Sequence, residues 1–371
     1  MRMLFVAGTR PEAIKLAPVI REIRRRAAAG ADLEARVCAT AQQREMLDQA
    51  LRLFGILCDD DLDVMEDDQT PTQVAAAVLS RLEPVLAAER PDWVIVQGDT
   101  TTAAAASLAA FYARIPVGHV EAGLRTHDKW RPFPEEIHRR IAAVLADRHF
   151  APTERACRNL IAEGVPSARI RLTGNPVIDA LRWAAEQPLG SADTLPPERQ
   201  GVRYVLVTAH RRESFGAPLE RICAALRDIA ERHGAGIEIV YAVHRNPRVS
   251  GPVHRLLGGV PNIVLVPPLD YLTLVHMIRR AHLVLTDSGG LQEEAPGLGK
   301  PVLVLREVTE RPEAVEAGTA KLVGTERARI VAEVERLLTD AAEYGRMARA
   351  VNPFGDGHAA ERIVDALAEP P

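Results

Sequence analysis

Short apolar runs alternate with longer amphipathic segments along the whole chain. This alternation predicts parallel β-sheets whose strands are joined by crossover helices. One predicted helix is Glu12–Arg26, in which apolar residues recur at helical spacing, and another is the alanine-rich Thr101–Ala113. In the first half of the chain, the predicted strands are Leu4–Ala7, Ala35–Thr40, Trp93–Gln97, Pro116–Glu121 and His149–Ala151.

A second series of strands begins after Gln187–Pro197, a stretch with proline and glycine but no periodicity, which we interpret as a loop or linker. With 371 residues, the chain is long enough for about two domains. We therefore predict an α/β protein with two Rossmann-like, doubly wound parallel-sheet domains and a cleft between them. In the second half, the predicted strands are Tyr204–Thr208, Glu238–Val243, Ile263–Leu265, Leu283–Thr286 and Pro301–Leu305.

Composition and charge argue against nucleic acid and a membrane as binding partners. Hydrophobic residues make up 47% and charged residues 26% of the chain, as in soluble globular proteins, and the formal net charge of −4 argues against nucleic acid. No apolar run reaches the length of a membrane span, and the first residues are better explained as a strand than as a signal segment. The four cysteines are scattered without metal-ligand spacing, so we predict a cytoplasmic protein without a metal site.

Candidate chemistry lies where the predicted strands end, because ligands of open parallel sheets bind beyond the carboxyl ends of the strands. The segment Asp287–Glu294 follows one such strand and leads into a predicted helix. Backbone N–H groups at this turn predict a phosphate seat at Ser288, Gly289 and Gly290. Glu294 would repel a phosphate, so we expect it to face hydroxyl groups such as those of a ribose. The alternative is an ordinary strand-to-helix turn whose glycines only relieve crowding.

Basic side chains are predicted on both walls of the cleft. Arg10 and Lys15 lie at the start of the first helix, where a cation is unfavourable by about 0.3–1 kcal/mol unless an anion binds. His210 and Arg211 follow the first strand of the second half and offer the same chemistry. A diphosphate would therefore have donors on both sides. Arg311 is a weaker candidate, because a loop arginine is usually solvated or paired, and a lone lysine is also usually solvated.

Three carboxylates of the first half are candidates for acid/base chemistry. Proton transfer at carbon needs a positioned base, often with a pKa raised by burial or by a second carboxylate. Glu121 ends an apolar strand and precedes a glycine, a position with little structural need for a carboxylate. Asp99 has the alternative role of a helix cap, and Glu135 stays undecided between a helix first turn and chemistry. For Glu136 the helix first turn is the favoured interpretation.

Eight motifs follow one another along the chain: Gly8–Glu12, Gln97–Thr100, His119–Thr126, Pro134–Glu136, Gly174–Pro176, His210–Glu213, Asp287–Glu294 and Thr309–Glu313. In this order and spacing, they resemble those of the non-hydrolysing UDP-N-acetylglucosamine 2-epimerases, a bacterial and archaeal family with the two-domain architecture called GT-B. The resemblance implies a first domain of residues 1–173, completed by a C-terminal helix at 354–371, and a UDP-binding second domain of residues 174–353. It also implies a homodimer.

The resemblance also implies a reversible reaction in two stages. A base removes the C2 proton of the sugar while UDP leaves C1, giving a 2-acetamidoglucal, and UDP adds back after C2 is reprotonated from the other face. Neither a redox cofactor nor a metal is needed. By similarity, the acid/base groups are Asp99, Glu121 and Glu135, and His210 lies near the diphosphate. The residues that match UDP- or substrate-binding positions are Arg10, Lys15, Arg211, Ser288, Gly289, Gly290, Glu294 and Arg311.

Two departures from the family pattern concern regulation. Gln43 stands where a histidine is common, and Asp67–Asp68 stand where a basic residue is common. Both segments belong, in many bacterial members, to a second site at which UDP-N-acetylglucosamine acts as an allosteric activator. An aspartate would repel a diphosphate there, so we predict weak or absent activation, although Arg211 and His244 of that site persist.

Other functions stay open at this point. His138 stands where the family usually has asparagine, which leaves room for a modified UDP-sugar, and a hydrolysing 2-epimerase is a further alternative. A GT-B glycosyltransferase would bind the same donor, and a nucleotide-sugar sensor would not need three carboxylates. A dinucleotide dehydrogenase is disfavoured, because Gly8–Arg10 lacks the G-x-G-x-x-G fingerprint. The roles of the individual carboxylates, and the pathway, whether polysaccharide or secondary-metabolite biosynthesis, also stay open.

Overall fold

The computed structural model describes residues 1–41, 44–66, 68–190 and 195–369. Gln43 and Asp67, on which the prediction about activation depends, and residues 191–194 of the predicted linker lie outside these ranges. The chain divides into two compact units, one of Met1–Ala180 with Phe354–Pro371 and the other of Leu181–Pro353.

The first unit is built on a parallel sheet of seven strands in the order β3-β2-β1-β4-β5-β6-β7. Its strands are β1 (Arg2–Ala7), β2 (Glu34–Ala39), β3 (Asp60–Asp61), β4 (Trp93–Gln97), β5 (Val117–Val120), β6 (Arg148–Ala151) and β7 (Ile170–Leu172). Its helices are α1 (Arg10–Ala28), α2 (Arg44–Leu53), α3 (Pro71–Glu89), α4 (Thr101–Tyr112), α5 (Glu135–Leu145), α6 (Glu154–Ala162) and the start of α7 (Pro176–Glu186).

The second unit repeats this design with a parallel sheet of six strands in the order β10-β9-β8-β11-β12-β13. Its strands are β8 (Arg203–Thr208), β9 (Ile237–Ala242), β10 (Ile263–Val266), β11 (Ala281–Thr286), β12 (Val302–Val304) and β13 (Ala320–Leu322). Its helices after α7 are α8 (Ala217–His233), α9 (Pro247–Leu257), α10 (Tyr271–Arg280), α11 (Leu291–Gly297), α12 (Pro312–Glu316), α13 (Arg327–Thr339) and α14 (Ala341–Ala348).

The last helix, α15 (Ala359–Ala368), returns to the first unit and packs against α1. Its buried residues include Ile363 and Leu367, which are fully shielded from solvent. An ion pair of 2.6 Å between Arg26 of α1 and Asp365 fixes the contact at its rim. None of the helices in the described ranges combines the length and the apolar character that a membrane span requires.

Every strand predicted from the hydrophobic pattern is present, and the two doubly wound parallel sheets are confirmed. Three strands were not predicted: β3, β7 and β13. Each lies at the edge of its sheet and is only two or three residues long. An edge strand with one neighbour buries little side-chain surface, so it leaves almost no periodic signal in the sequence.

The strand order places functional residues as well as the core. In the first unit the order reverses between β1 and β4, and in the second between β8 and β11. At such a switch point, the loops that follow the two central strands diverge and leave a crevice at the carboxyl end of the sheet. The loops at Gly8–Thr9 and Gly98–Thr100 are therefore neighbours, as are those at Ala209–Arg211 and Asp287–Gly290.

Candidate active site

Glu121 occupies the end of β5 in the first unit. It directly follows Val120 and has a backbone φ of +62°, so the chain turns sharply there. Its side chain is only 5% exposed, and the Nζ of Lys15 lies 2.7 Å from both carboxylate oxygens. The side-chain amides of Gln97 and Asn175 also donate to it, that of Asn175 at 2.9 Å. One cation and two amides therefore hold this buried carboxylate in a single orientation.

Lys15 and Arg10, both predicted to contact a phosphate, have different surroundings. Lys15 lies in the second turn of α1 with its side chain 15% exposed, and its ammonium is paired with Glu121. Arg10 is the first residue of α1 and is partly buried. The structure thus pairs Lys15 with Glu121, one of the predicted acid/base groups.

Asp99 lies in the turn between β4 and α4, and its side chain is 29% exposed. The guanidinium of Arg139 donates to its Oδ2 from Nε at 2.8 Å and approaches it from Nη2 at 2.7 Å. The ring of His138 is 3.0 Å from the backbone carbonyl oxygen of Asp99 and bonds to it through Nδ1. Two successive residues of α5 therefore hold Asp99 by its side chain and by its backbone.

Glu135 is the first residue of α5 and shares a helix face with His138 and Arg139, which follow it by three and four positions. Its Oε2 is buried and has no hydrogen-bond partner among the described residues. Within the first unit, the three predicted acid/base groups therefore differ. Asp99 and Glu121 are each paired with a cation, whereas Glu135 retains an unsatisfied oxygen.

Glu136, whose favoured interpretation was a helix first turn, is fully buried and holds the preceding loop. It accepts hydrogen bonds from the backbone N–H groups of Thr126 at 3.1 Å and His127 at 3.2 Å, and from Arg139 at 3.1 Å. Burial alone would raise the pKa of Glu136, but these backbone donors and the Arg139 guanidinium bring it below its usual value. Arg139 thus lies between two carboxylates, Glu136 and Asp99.

Glu12 is a buried carboxylate that the sequence did not single out. Its oxygens accept from the backbone N–H of Gly8 at 3.0 Å and from the hydroxyl of Thr100 at 2.7 Å. It is fully shielded from solvent, and this burial raises its pKa to about 7. In sequence, an acid in the first turn of a helix needs no further explanation. The structure shows in addition that Glu12 links the loop after β1 to the adjacent loop after β4.

In the second unit, Asp287 organises the loop after β8. It is fully buried, and its Oδ2 accepts from the backbone N–H groups of His210 and Arg211, each at 2.7 Å, and from the hydroxyl of Ser214 at 3.3 Å. Its Oδ1 is 3.5 Å from Nδ1 of His210. A buried carboxylate with backbone donors is a strong constraint, so Asp287 sets the course of the loop that carries His210 and Arg211.

The imidazole of His210 is stacked on that of His244, with ring centroids 5.3 Å apart and planes 12° apart. The side chain of His210 is 38% exposed. Partial burial lowers its pKa, with His244 and Arg211 acting in the same direction and Asp287 opposing them. Near neutral pH the ring is therefore uncharged and accessible.

The Ser288–Gly290 turn leads into α11, as predicted. Neither glycine has a positive φ, so the backbone conformation does not require glycine at Gly289 or Gly290. A Cβ at Gly289 would lie 3.6 Å from Nη2 of Arg211, and one at Gly290 would lie 3.5 Å from a carboxylate oxygen of Glu294. These are ordinary contact distances. The glycines therefore relieve no crowding, and the turn stays open beside Arg211 and Glu294.

Three arginines near the strand ends of the second unit are paired with carboxylates. Arg311, with a side chain 12% exposed, donates from Nε to the buried Glu293. Arg306 donates to both oxygens of Glu310, at 2.6 and 3.2 Å. Burial alone would raise the pKa of Glu310, but the hydrogen bonds and the charge of Arg306 lower it to about 2. Arg211 is 3.6 Å from Glu310 and has a side chain 36% exposed.

Sequence reasoning missed the partners of the predicted groups: Gln97, Asn175, Arg139, Asp287 and Glu12. Gln97 and Asn175 belong to motifs of the family, but no local pattern indicates that both amides contact the same carboxylate. Asn175 is 54 residues from Glu121, and Arg139 is 40 residues from Asp99. Contacts at such separations are made by the fold alone.

Comparison with known proteins identifies the group of relatives. The family model described as UDP-N-acetylglucosamine 2-epimerase matches residues 25–368. The UDP-N-acetylglucosamine 2-epimerases of Escherichia coli O157:H7 and Salmonella typhimurium are each 54% identical over 375 residues, which is 99% of this chain and 98% of theirs.

A solved structure supports the same assignment. The UDP-GlcNAc 2-epimerase of Neisseria meningitidis, determined with UDP-GlcNAc bound, is 45% identical, with a TM-score of 0.91. The similarity covers 99% of this chain and 100% of that one. From the family model, the whole-chain identity and the shared architecture, it follows that this chain belongs to the UDP-N-acetylglucosamine 2-epimerase family of isomerases.

Proposed function

We propose that the protein interconverts UDP-N-acetylglucosamine and UDP-N-acetylmannosamine reversibly and without net hydrolysis. UDP leaves C1 as the C2 proton is removed, a 2-acetamidoglucal forms, and UDP adds back after C2 receives a proton on its other face. The observation that carries the proposal is the set of carboxylates at the ends of β4 and β5 and the start of α5, namely Asp99, Glu121 and Glu135. The Neisseria meningitidis relative, which binds UDP-GlcNAc, supports the choice of substrate.

The proton transfers are assigned to the first unit. Removing a proton from C2 and returning one to the opposite face requires groups with different surroundings. Glu121 is oriented by Lys15, and Asp99 by Arg139, while Glu135 has an oxygen free to bond to a ligand. Such an arrangement holds carboxylates close to a reacting carbon without letting them rotate away from it.

UDP is assigned to the second domain, proposed as residues 174–353. Ser288, Gly289 and Gly290 would offer backbone N–H groups to phosphate, and Glu294 would accept from the ribose hydroxyls. The uncharged ring of His210 would donate a hydrogen bond to the diphosphate as negative charge develops on it.

The proposed basic contacts to UDP are Arg10, Lys15, Arg211 and Arg311. For Lys15 and Arg311, contact with UDP requires that each cation be shared with the carboxylate that it already pairs with, Glu121 or Glu293. Arg211 is paired more loosely, with Glu310 at 3.6 Å, and would share its charge with that carboxylate.

An exchange experiment in deuterated water tests the reaction. We expect incubation with UDP-N-acetylglucosamine to give UDP-sugars of both configurations, each deuterated at C2, as read by NMR. Release of free N-acetylmannosamine with UDP would show the hydrolysing variant instead. No exchange with this substrate, but exchange with a modified UDP-sugar, would assign the other sugar. Absence of C2 exchange with any UDP-sugar would contradict the epimerase proposal.

We also propose that activation by substrate is weak or absent. Seven of the ten residues at 59–68 are acidic, and this segment contains the positions where the family pattern often has a cation. The Arg44 guanidinium is already paired with Asp61 at 2.7 Å and Asp63 at 2.6 Å. A diphosphate would meet a field of the same sign there. Progress curves that start from UDP-N-acetylmannosamine alone should show no lag, and a lag abolished by traces of UDP-N-acetylglucosamine would contradict this.

A further inference from the structure

Asn175 touches the predicted acid/base machinery although it lies far away in sequence. It is fully buried between β7 and α7, and its Nδ2 donates to Oε1 of Glu121 at 2.9 Å. Its Oδ1 accepts from the backbone N–H of Val177 at 3.2 Å. Because each end of the amide has a partner of the opposite type, the amide has one orientation, with its donor toward Glu121.

The backbone of Asn175 is held by the C-terminal segment. Its N–H donates to the carbonyl oxygen of Phe354 at 2.7 Å, and Phe354 is fully buried. Gly355 has a φ of +132°, and a Cβ there would lie 3.3 Å from the Cα of Gly174 and 3.4 Å from the nitrogen of Asn175. A side chain at position 355 would be strained at this positive φ, and its Cβ would press on the backbone of Gly174 and Asn175.

This contact lies where the chain passes between the two units. The chain leaves the first unit within α7, after Ala180, and returns to it at Phe354. The carboxylate of Asp179 accepts from the backbone N–H groups of Ala359 at 3.2 Å and Ala360 at 2.9 Å, which joins the outgoing and returning segments a second time. Asn175 therefore bonds to the returning segment through its backbone and to Glu121 through its side chain.

We propose that Asn175 is a positioning residue for Glu121, and that the returning segment Phe354–Gly355 keeps Asn175 in place. The proposal rests on the proposed function, since it gives Glu121 a part in proton transfer. Lys15 neutralises the charge of Glu121 from the end of a long side chain, whereas Asn175 orients the carboxylate by a hydrogen bond from a short side chain on a fixed turn. A carboxylate displaced by about 1 Å from a reacting carbon loses about 10²-fold in rate.

The competing role for Asn175 is purely structural, as the residue that caps the start of α7. Two substitutions separate the roles, because Asn175→Ser and Asn175→Asp both keep an oxygen that can accept from Val177. Neither keeps a donor that reaches Glu121, and the aspartate also places a second carboxylate against it. We expect both variants to fold, to bind UDP within about threefold of the wild-type affinity, and to lose at least tenfold in kcat with little change in KM.

The dependence on pH distinguishes the two variants from each other. In Asn175→Asp, kcat should fall further as pH rises through the range in which the new carboxyl group ionises, because two negative charges then repel. Asn175→Ser should lack this additional fall. A structural cap would give both variants the same pH profile as the wild type. Wild-type kcat in both variants would overturn the proposal.

A pair of glycine variants tests the returning segment. Gly355→Ala inserts a methyl group against Gly174, whereas Gly30→Ala inserts one at a similarly positive φ, +98°, with nothing within 4 Å. We expect Gly355→Ala to lose at least tenfold in kcat and Gly30→Ala to keep wild-type kcat. Equal kcat in the two variants would remove the role of the segment. If Gly355→Ala fails to fold, the Asn175 variants decide. Loss of C2 exchange in the wild type would instead be a failure of the proposed function.

Discussion

At the strand ends of the first unit, two carboxylates are each paired with a cation, whereas at those of the second unit three arginines are each paired with a carboxylate. Glu121 is paired with Lys15 and Asp99 with Arg139 at the carboxyl end of the first sheet. At the corresponding end of the second sheet, Arg306 and Arg311 are paired with acids, and the buried Asp287 is bound by backbone N–H groups. Both sheets share the central strand order, so the fold itself does not account for this difference.

Under the proposed function, this difference suits the two units to two different tasks. Proton transfer needs acids whose position is fixed, and a cation on each acid supplies that constraint. Holding a diphosphate needs cations and backbone donors whose position is fixed, and acids behind them supply it. The residues that decide the task lie in the loops after the strands, while the strands decide only where those loops meet.

The largest expected effect is that of Glu121→Gln. The amide keeps the shape of the side chain but has no basicity, so we expect C2 exchange in deuterated water to fall by about 10³-fold. UDP affinity, measured by calorimetry, should stay within about threefold of wild type. Glu34→Gln is the matched control, since Glu34 is about half exposed, at 48%, and pairs with Arg2 at the sheet margin. Exchange above a tenth of the wild-type rate would remove Glu121 from the chemistry.

Arg139→Met should have the next largest effect, on stability as well as on rate. It deprives the fully buried Glu136 of its closer and more buried cation, which costs about 3 kcal/mol of the free energy of unfolding. The control is Arg140→Met, because Arg140 is 44% exposed and 3.6 Å from the same carboxylate, so its loss should cost less than about 1 kcal/mol. Urea unfolding measures both, and equal effects would show that Arg139 has no special place.

Asp287→Asn probes the second unit in the same way. The charge that binds the N–H groups of His210 and Arg211 is lost, so we expect a loss of about 2 kcal/mol in the free energy of unfolding. UDP affinity should fall by at least tenfold, because the loop no longer holds His210 and Arg211 in position. If UDP affinity is unchanged while stability falls, the loop that Asp287 orders takes no part in binding.

The last expected effect is a change in the pH dependence of stability on Glu12→Gln. The pKa of Glu12 is about 7 in the folded chain against 4.5 in the unfolded one, so the folded state binds the extra proton between these values. Wild-type stability thereby gains as pH falls from 7 to 4.5, by about 1.4 kcal/mol per pH unit. The variant lacks this gain.

Two buried histidines act in the opposite direction. Burial lowers the pKa of His119 to about 4 and that of His149 to about 3, against 6.5 when unfolded. Below pH 6.5 the unfolded state therefore binds more protons than the folded state, so these two residues lower the free energy of unfolding as pH falls toward 4. Glu12→Gln should therefore lose stability more steeply than the wild type between pH 6.5 and 5 in urea unfolding. Parallel curves would contradict the assignment.

The secondary structure could be predicted largely from the sequence. Apolar strands and amphipathic helices such as Trp93–Gln97 and α1 follow from local periodicity, and Thr100 caps α4 as its sequence position suggests. The sequence predicts Asp99 and Glu121 as candidates because each follows a buried strand. The short edge strands β3 and β13 escaped prediction, because their pairing depends on a neighbour rather than on their own pattern.

Local patterns in the sequence are enough to predict all but three short edge strands, the main helices, the family and the residue types at the strand ends. This is possible because periodicity, turn residues and motifs are local. Only the tertiary structure decided that Lys15 and Asn175 meet at Glu121, that Arg139 lies between Asp99 and Glu136, and that Glu12 is buried. Charge pairing and burial depend on side chains brought together from distant parts of the chain, and those encounters arise only when the sheet aligns the ends of its strands.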